Sequence, residues 1–235
     1  MEGIMYKRIL LKLSGEALAG ASGTGIDPET VDKVVVQLVE LAKKKVEIAI
    51  VVGGGNFWRG RLGVAMDKVT ADHMGMLATI MNALALQDAI EKKGIPTRVQ
   101  TALSIPAVAE PFILRKAVRH FECGRIVIFA CGTGNPYFTT DSGAALRAAE
   151  IKADALLMAK NVDGVYDSDP KTNPNAKKLN ELSYMDVLNK NIAVMDFTSV
   201  TMCMENKIPI VAFGLAEQNS IIRAVSGEKI GTIIH

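Results

Sequence analysis

Residues 28–56 read PETVDKVVVQLVELAKKKVEIAIVVGGGN, and within them the apolar pattern changes once. From Pro28 to Lys45 the apolar residues recur at helical spacing, with Asp27 as N-cap and proline at the first helical position. From Val46 to Val52 the chain is almost continuously apolar and rich in β-branched residues, as a strand buried on both faces must be. Gly53-Gly54-Gly55-Asn56 then closes that strand. A helix that feeds a doubly buried strand ending in glycines is part of a βαβ unit.

The same alternation extends outward. Ile9 to Leu13, Arg125 to Ala130, Ala155 to Met158 and Ile208 to Phe213 are further short apolar runs. Thr70 to Lys93, stopped by Gly94-Ile95-Pro96, and Ser142 to Ile151 have helical periodicity. The alternation predicts an α/β fold with a mainly parallel sheet, and 235 residues fit one domain over 1–235. Asn161 to Leu182, rich in Asp, Asn, Pro and Lys, reads as one long surface loop.

Composition narrows the function. The 27 basic and 25 acidic residues leave a net charge of +2, so no global field draws the chain to nucleic acid or an anionic membrane. An anionic ligand has to be met locally. Cys123, Cys131 and Cys203 have neither zinc-site spacing nor the density of a disulfide scaffold, which fits a reducing cytoplasm. Lys7, Arg8 and Lys12 interrupt the first apolar segment, as no signal peptide allows, and no run reaches the roughly 18 apolar residues of a membrane helix. The expectation is a soluble cytoplasmic protein.

Three turns invite anions. Lys12-Leu13-Ser14-Gly15 closes the first strand with a cation, a hydroxyl and a glycine, and Gly53-Gly54-Gly55-Asn56 closes the second. Ligands of parallel sheets gather beyond strand carboxyl ends, where glycines let backbone N–H groups face a phosphate. One such turn alone is compatible with mere chain reversal; two, flanked by Lys12 and Arg59, point to a shared anion. The third segment, Gly132 to Asp141, offers hydroxyls, an amide and an acid at the start of a helix beginning near Ser142, which suits a nucleoside monophosphate. Thr140 or Asp141 also reads as the cap of that helix. There is no G-x-x-x-x-G-K-[ST], no G-x-G-x-x-G and no protein-kinase motif set, and Gly20-Ala21-Ser22-Gly23-Thr24-Gly25 has the wrong glycine spacing for a dinucleotide fingerprint.

At this point the residues resemble a known family. Lys12-Leu13-Ser14-Gly15-Glu16-Ala17-Leu18, Gly53-Gly54-Gly55-Asn56 with Arg59-Gly60, Asp72-His73-Met74-Gly75-Met76, Thr133-Gly134-Asn135-Pro136 through Thr139-Thr140-Asp141, and Val162-Asp163-Gly164-Val165-Tyr166 with Asp169-Pro170 are similar to the bacterial uridylate kinases of the amino-acid-kinase superfamily. The match runs in order from Lys7 to Gly231-Thr232. The resemblance implies a three-layer αβα sandwich, a homohexamer, and transfer of a phosphoryl group from Mg-ATP to UMP in pyrimidine nucleotide synthesis. It implies that Lys12, Leu13, Ser14, Gly15, Gly55 and Arg59 meet ATP, with Tyr166 and Asp169 on its adenosine side. Gly54, Asp72, Thr133, Gly134, Asn135, Pro136, Tyr137, Phe138, Thr139 and Thr140 would hold UMP. Gly20, Ala21, Ser22, Gly23, Thr24 and Gly25 would belong to activation by GTP, with UTP inhibiting. Ala159-Lys160-Asn161 departs from the Ala-Thr-Lys of some members, and the adenine contact there is assigned to Asn161.

Phosphoryl transfer needs positioning and charge neutralisation more than covalent help. The expected catalytic set is Lys12, Arg59, Asp141 and Asp196: the two cations stabilise charge on the moving group, aided by N–H groups of Gly15 and Gly54, and the carboxylates orient Lys12 and the water shell of a Mg²⁺ held mainly by ATP phosphates. Asp196, in Val194-Met195-Asp196-Phe197 at an expected strand end, has a second reading as cap of a helix over Thr198 to Glu205. His73 is read as structural. The stripe Met74, Met76, Leu77, Ile80, Met81 and Leu84 reads as core packing ahead of a subunit interface. Two rivals remain: a kinase of the same superfamily acting on acetylglutamate or carbamate, and a silent nucleotide-sensing regulator.

Overall fold

The structure, a computed structural model, describes residues 4–59, 66–168, 170, 172, 173 and 175–235. In chain order come β1 (Arg8–Leu13), α1 (Pro28–Lys43), β2 (Glu47–Val52), α2 (Lys68–Lys92), β3 (Thr97–Thr101), β4 (Glu110–Pro111), α3 (Leu114–Glu122) and β5 (Ile126–Ala130). There follow α4 (Thr140–Glu150), β6 (Ala155–Lys160), β7 (Val165–Tyr166), β8 (Lys178–Leu179), β9 (Glu181–Leu182), α5 (Tyr184–Asn189), α6 (Phe197–Glu205), β10 (Ile210–Gly214), α7 (Ser220–Val225) and β11 (Thr232–Ile234). Two short 3-10 turns, Gly15–Leu18 and Gly20–Ser22, link β1 to α1.

Nine strands form one sheet in the order β4-β3-β5-β2-β1-β6-β10-β11-β9, parallel throughout except where β11 runs against β10. Side-chain alternation sorts the core into two layers. Ile9, Leu11 and Leu13 of β1 pack with Val34 and Leu38 of α1, Ile80 of α2 and Ile221 of α7. Leu10, on the other face, packs with Phe121 of α3, Ala144 and Ala148 of α4, and Val200 of α6. Each fully buried leucine or isoleucine contributes on the order of 1.5–3 kcal/mol of transfer free energy, so the sheet is held from both sides. The expected three-layer α/β architecture is the observed one.

The helix starts follow local chemistry. An Asp27 carboxylate oxygen accepts from the Thr30 N–H at 2.9 Å ahead of Pro28, as the sequence predicts. Asp67 does the same for α2 through the Thr70 N–H at 3.0 Å, so that helix begins at Lys68 and not at Thr70. Gly94, at φ +87°, follows its end.

Several expectations need correction. The segment 161–182 is not one loop: Val165–Tyr166 and Lys178–Leu179 form an antiparallel hairpin, and Glu181–Leu182 joins the sheet beside β11. Asp196 ends no strand; its side chain accepts from the Ser199 N–H at 2.9 Å as the N-cap of α6. The methionine-rich stripe of α2 is two faces. Met76 and Ile80 are buried, while Leu77 and Met81, one turn apart, are 50% and 46% exposed. Among the described residues no helix is long and apolar enough to cross a membrane.

Candidate active site

The turns after β1, β2 and β5 converge. Gly53 N–H donates to the Leu13 carbonyl at 2.9 Å, and a Cβ placed on Gly53 would lie 3.2 Å from Gly15 N and 3.7 Å from Thr140 Oγ1. One residue on, a Cβ at Gly54 would stand 2.7 Å from Ala78 Cβ and 2.8 Å from the Gly75 carbonyl oxygen, so the turn lies against α2 as only glycine allows. Two buried amides fix it: Asn82 Nδ2 donates to the Gly53 carbonyl at 2.7 Å and to Asn56 Oδ1 at 2.7 Å. Asn56 Nδ2 returns a bond to Asn82 at 2.9 Å and donates to the Gly25 carbonyl at 2.6 Å. Gly20–Gly25 is thereby tied to the second glycine turn, while Ser22 closes on Ala19 and Thr24 within the segment.

Next to these turns, Lys12 Nζ lies 2.9 Å from Asp141 Oδ1. The pleat explains the meeting: Lys12 shares the face of Leu10, towards α4, whose first turn carries Asp141. The Lys12–Asp141 approach is a charge contact without hydrogen-bond alignment, and Asp141 Oδ1 is a buried acceptor with no hydrogen-bonded donor. Thr139, and not Thr140 or Asp141, caps α4, its hydroxyl accepting from the Asp141 and Ser142 N–H groups at 3.1 and 3.3 Å. The Thr139 hydroxyl in turn makes a short hydrogen bond to Asp196, which also accepts from Ser142 Oγ at 3.0 Å and Ser199 Oγ at 2.8 Å. Burial works against the Asp196 carboxylate, but these donors outweigh it and hold its pKa below the ordinary aspartate value.

Two cavities meet here, and Glu16 lines both. The larger, about 940 Å³, lies between the second glycine turn, α2 and the Gly132–Thr140 segment. Its wall holds Gly54, Gly55, Arg59, Asp72, Thr133, Asn135, Tyr137, Phe138, Thr139 and Thr140. Gly134 and Pro136 sit on the same turn outside that wall. Asp72 accepts from the Tyr137 N–H at 2.8 Å and pairs with Lys68 at 3.0 Å. Burial opposes its charge, yet Tyr137 and Lys68 together keep its pKa low. The smaller cavity, about 690 Å³, lies beyond the ends of β6 and β10 and includes Gly20, Lys160 and Asn161.

Of the predicted residues, the second glycine turn, Asp72 and most of Thr133–Thr140 line the larger cavity and Asn161 the smaller, whereas Lys12, Leu13, Ser14, Gly15, Asp141 and Asp196 line neither. Arg59 stands on the wall of the larger cavity with its guanidinium 2.8 Å from Glu16. Ser14 turns its hydroxyl to the Ala17 N–H at 3.1 Å, capping the 3-10 turn that contains Gly15. Tyr166 lines neither cavity; its hydroxyl donates to Asp163 at 2.7 Å. Asp169 lies outside the described residues. None of the histidines lines either cavity: His120 bonds Glu110 at 2.9 Å and His235 pairs with Glu181 at 2.7 Å.

Sequence reasoning missed Glu16, which bridges the cavities, and Trp58, whose indole N–H donates to the Ala71 carbonyl at 3.0 Å and anchors the turn to α2. It also missed Lys160, although a lysine closing an apolar strand is the signal that singled out Lys12. Among the described residues no three His, Cys, Asp or Glu side chains gather as a metal cage. The open acceptor of Asp141 suits a divalent ion that arrives with a nucleotide's oxygens and keeps its waters.

Comparison with known proteins agrees with the geometry. Residues 7–214 match the amino acid kinase family. The crystal structure of UMP kinase from Bacillus anthracis superposes with a TM-score of 0.95 at 40% identity, covering 98% of this chain and 96% of that one. UMP kinase from Ureaplasma parvum gives 0.92 at 39% identity, over 97% and 98% of the two chains. Uridylate kinase from Archaeoglobus fulgidus gives 0.73 at 28% identity, over 97% and 99%.

Proposed function

The chain belongs to the amino acid kinase family, and from that premise we propose that it is a UMP kinase moving the γ-phosphoryl group of Mg-ATP to UMP. The observation that carries the proposal is the convergence of three strand-end turns beside two cavities that share Glu16, with the Lys12–Asp141 ion pair joining the end of β1 to the start of α4. The larger cavity takes UMP, its hydroxyl and amide wall from Thr133 to Thr140 suiting a base, and Asp72 and Gly54 suiting ribose and phosphate. The donor lies across Leu13, Ser14, Gly15, Gly55 and Arg59 and extends towards Asn161 and the smaller cavity. Both close structural relatives of 39–40% identity carry the name UMP kinase, which supports UMP as acceptor.

In the reaction an α-phosphate oxygen of UMP attacks the γ-phosphorus, a new P–O bond forms, and the bond to the bridging oxygen of ADP breaks. The acceptor is already anionic, so no strong base is required, and none of the three histidines lines either cavity. Lys12 offsets charge on the equatorial oxygens, backbone N–H groups of Gly15 and Gly54 contribute, and Asp141 holds Lys12 in place. Mg²⁺, held mainly by the donor's phosphates and water, would neutralise charge on the donor oxygens, with Asp141 and Asp196 orienting its water shell. We further propose that the whole chain works as one cytoplasmic catalytic domain within a homohexamer. Gly20–Gly25 carries activation by GTP, with UTP inhibiting; its bond to Asn56 gives it a direct connection to the catalytic turn.

The test is a Mg-dependent assay of ADP release with ATP as donor and a panel of UMP, CMP, acetylglutamate and carbamate. UMP should give a kcat/KM at least about tenfold above every other acceptor, and omission of Mg²⁺ should abolish turnover. Turnover with acetylglutamate or carbamate alone, or nucleotide binding with no ADP release, overturns the proposal.

A further inference from the structure

Resting on the proposed phosphoryl transfer, we propose that Lys160 is a second catalytic cation, contacting the donor's phosphate chain from the β6 side while Lys12 contacts it from β1. Register supplies the first argument. β1 and β6 run parallel with Lys12 opposite Met158 and Leu13 opposite Ala159, so Lys160 lies one position further along the neighbouring strand. Leu156 and Met158 share the face of Leu10, towards α4 and α6, and two-residue alternation puts Lys160 on that face with Lys12. Two ammonium groups therefore stand at the carboxyl ends of adjacent strands, on one side of the sheet, where parallel sheets place their ligands.

Charge is the second argument. Asp141 is the carboxylate that acts on both lysines, and its ion pair is with Lys12 at 2.9 Å, while Glu16 pairs with Arg59. Lys160 Nζ instead makes a short hydrogen bond to the Val194 carbonyl, and among the described residues no carboxylate forms an ion pair with it. One carbonyl uses one of the three ammonium donors. Asp141 from α4 and Lys12 from β1 are the charges that act on Lys160, and Glu16, Asp32, Lys33 and Glu217 share the wall of its cavity. Burial pulls its pKa below the ordinary lysine value, and Lys12 adds to that, while Asp141 opposes them. A half-buried cation with free donors and no carboxylate of its own, in the wall of the donor-side cavity, is completed by an anion from outside. A polyphosphate chain between the two lysines supplies that anion, and charge moving onto the β–γ bridging oxygen as its bond breaks strengthens the contact.

The experiment uses the full-length chain as wild type, Lys160→Met and Lys160→Arg. In the ATP and UMP assay K160M should lose about 10²-fold or more in kcat with KM for UMP nearly unchanged, and K160R should recover part of the loss. The second readout is calorimetric binding of magnesium tripolyphosphate at about pH 9 in two buffers of different ionisation enthalpy. Phosphate raises the lowered pKa of a contacting lysine, so the wild type should take up protons on binding, whereas K160R should take up none and K160M should bind at least about tenfold more weakly. A packing role alone would lower the melting temperature and leave proton uptake in place. Wild-type affinity and proton uptake in a folded K160M overturn the assignment. Should the wild type bind tripolyphosphate through Lys160 but leave UMP unchanged, the UMP reading fails and the Lys160 assignment stands. If K160M does not fold, Lys160→Gln, which keeps a donor for the Val194 carbonyl, is measured against the same criteria.

Discussion

Lys12 shows how much one residue's place in a strand decides. Its backbone is β1 and its neighbours Leu11 and Leu13 are buried in the α1 layer, yet alternation turns its own side chain to the α4 layer and to Asp141. If its contact with the moving phosphoryl group strengthens in the transition state, Lys12→Met should lower kcat by about 10²–10³-fold while KM for UMP changes by less than about threefold. Steady-state kinetics on the folded variant check this, and a near-normal kcat would remove Lys12 from the mechanism. Lys12 stood out in the sequence because a cation followed by Ser-Gly at a strand end has few purely structural reasons to exist, and its ion pair with Asp141 is what the structure adds. Glu16 was harder to see. An acidic residue beside an expected phosphate site argues against itself in sequence, and only the 2.8 Å contact with Arg59 across the junction of the cavities gives it a place.

At the scale of elements, the starts of α4 and α6 are one device. Asp196 caps α6 and also receives the hydroxyls of Thr139, which caps α4, and Ser142 in its first turn. Thus the helix bearing Asp141 is registered against α6 through a single carboxylate. Asp196→Asn should cost roughly 2 kcal/mol, since hydrogen bonds to a charged acceptor are replaced by weaker ones, and should lower Tm at neutral pH. The sign with pH follows from the direction of its pKa: a carboxylate held below its unfolded value stabilises fully above about pH 4, and that stability is lost as pH falls through the lower folded value. The Tm gap between wild type and variant should therefore narrow in acid, and a gap independent of pH from about 3 to 7 would contradict this account. The expected strand end at Asp196 was wrong because Val194 and Met195 are apolar for another reason: both are buried against the α4 layer without pairing in the sheet. Likewise β7, β8 and β9 are two residues each, too short for periodicity to declare, and they are held by hairpin and edge pairing.

For the whole molecule, ligand occupancy and stability are linked. On the proposed reaction, donor and acceptor would meet across turns from β1, β2 and β5, and binding both would join the two helix layers at the carboxyl edge of the sheet. With each nucleotide at about 100 times its Kd, unfolding free energy should rise by about 2.7 kcal/mol per site, read as an increase in Tm with UMP and a non-hydrolysable ATP analogue. Light scattering on the same samples should give the mass of six copies, and exposed Leu77 and Met81 on α2 are the apolar surface such an assembly would cover. A monomer at micromolar concentration with unaltered activity would defeat the hexamer proposal. By itself the sequence determined the class of fold and the three anion-seeking turns, because continuous apolar strands, helical periodicity and glycines at strand ends are local consequences of burial and backbone sterics. Only the tertiary structure decided which side chains share a charge environment. The pairing of Lys12 with Asp141, the approach of Lys160 from the next strand and the use of Asp196 by two helices depend on strand order, register and the face each residue takes. These are set by contacts between segments far apart in the chain, as Lys12 and Asp141 or Thr139 and Asp196 are, and no local pattern encodes them.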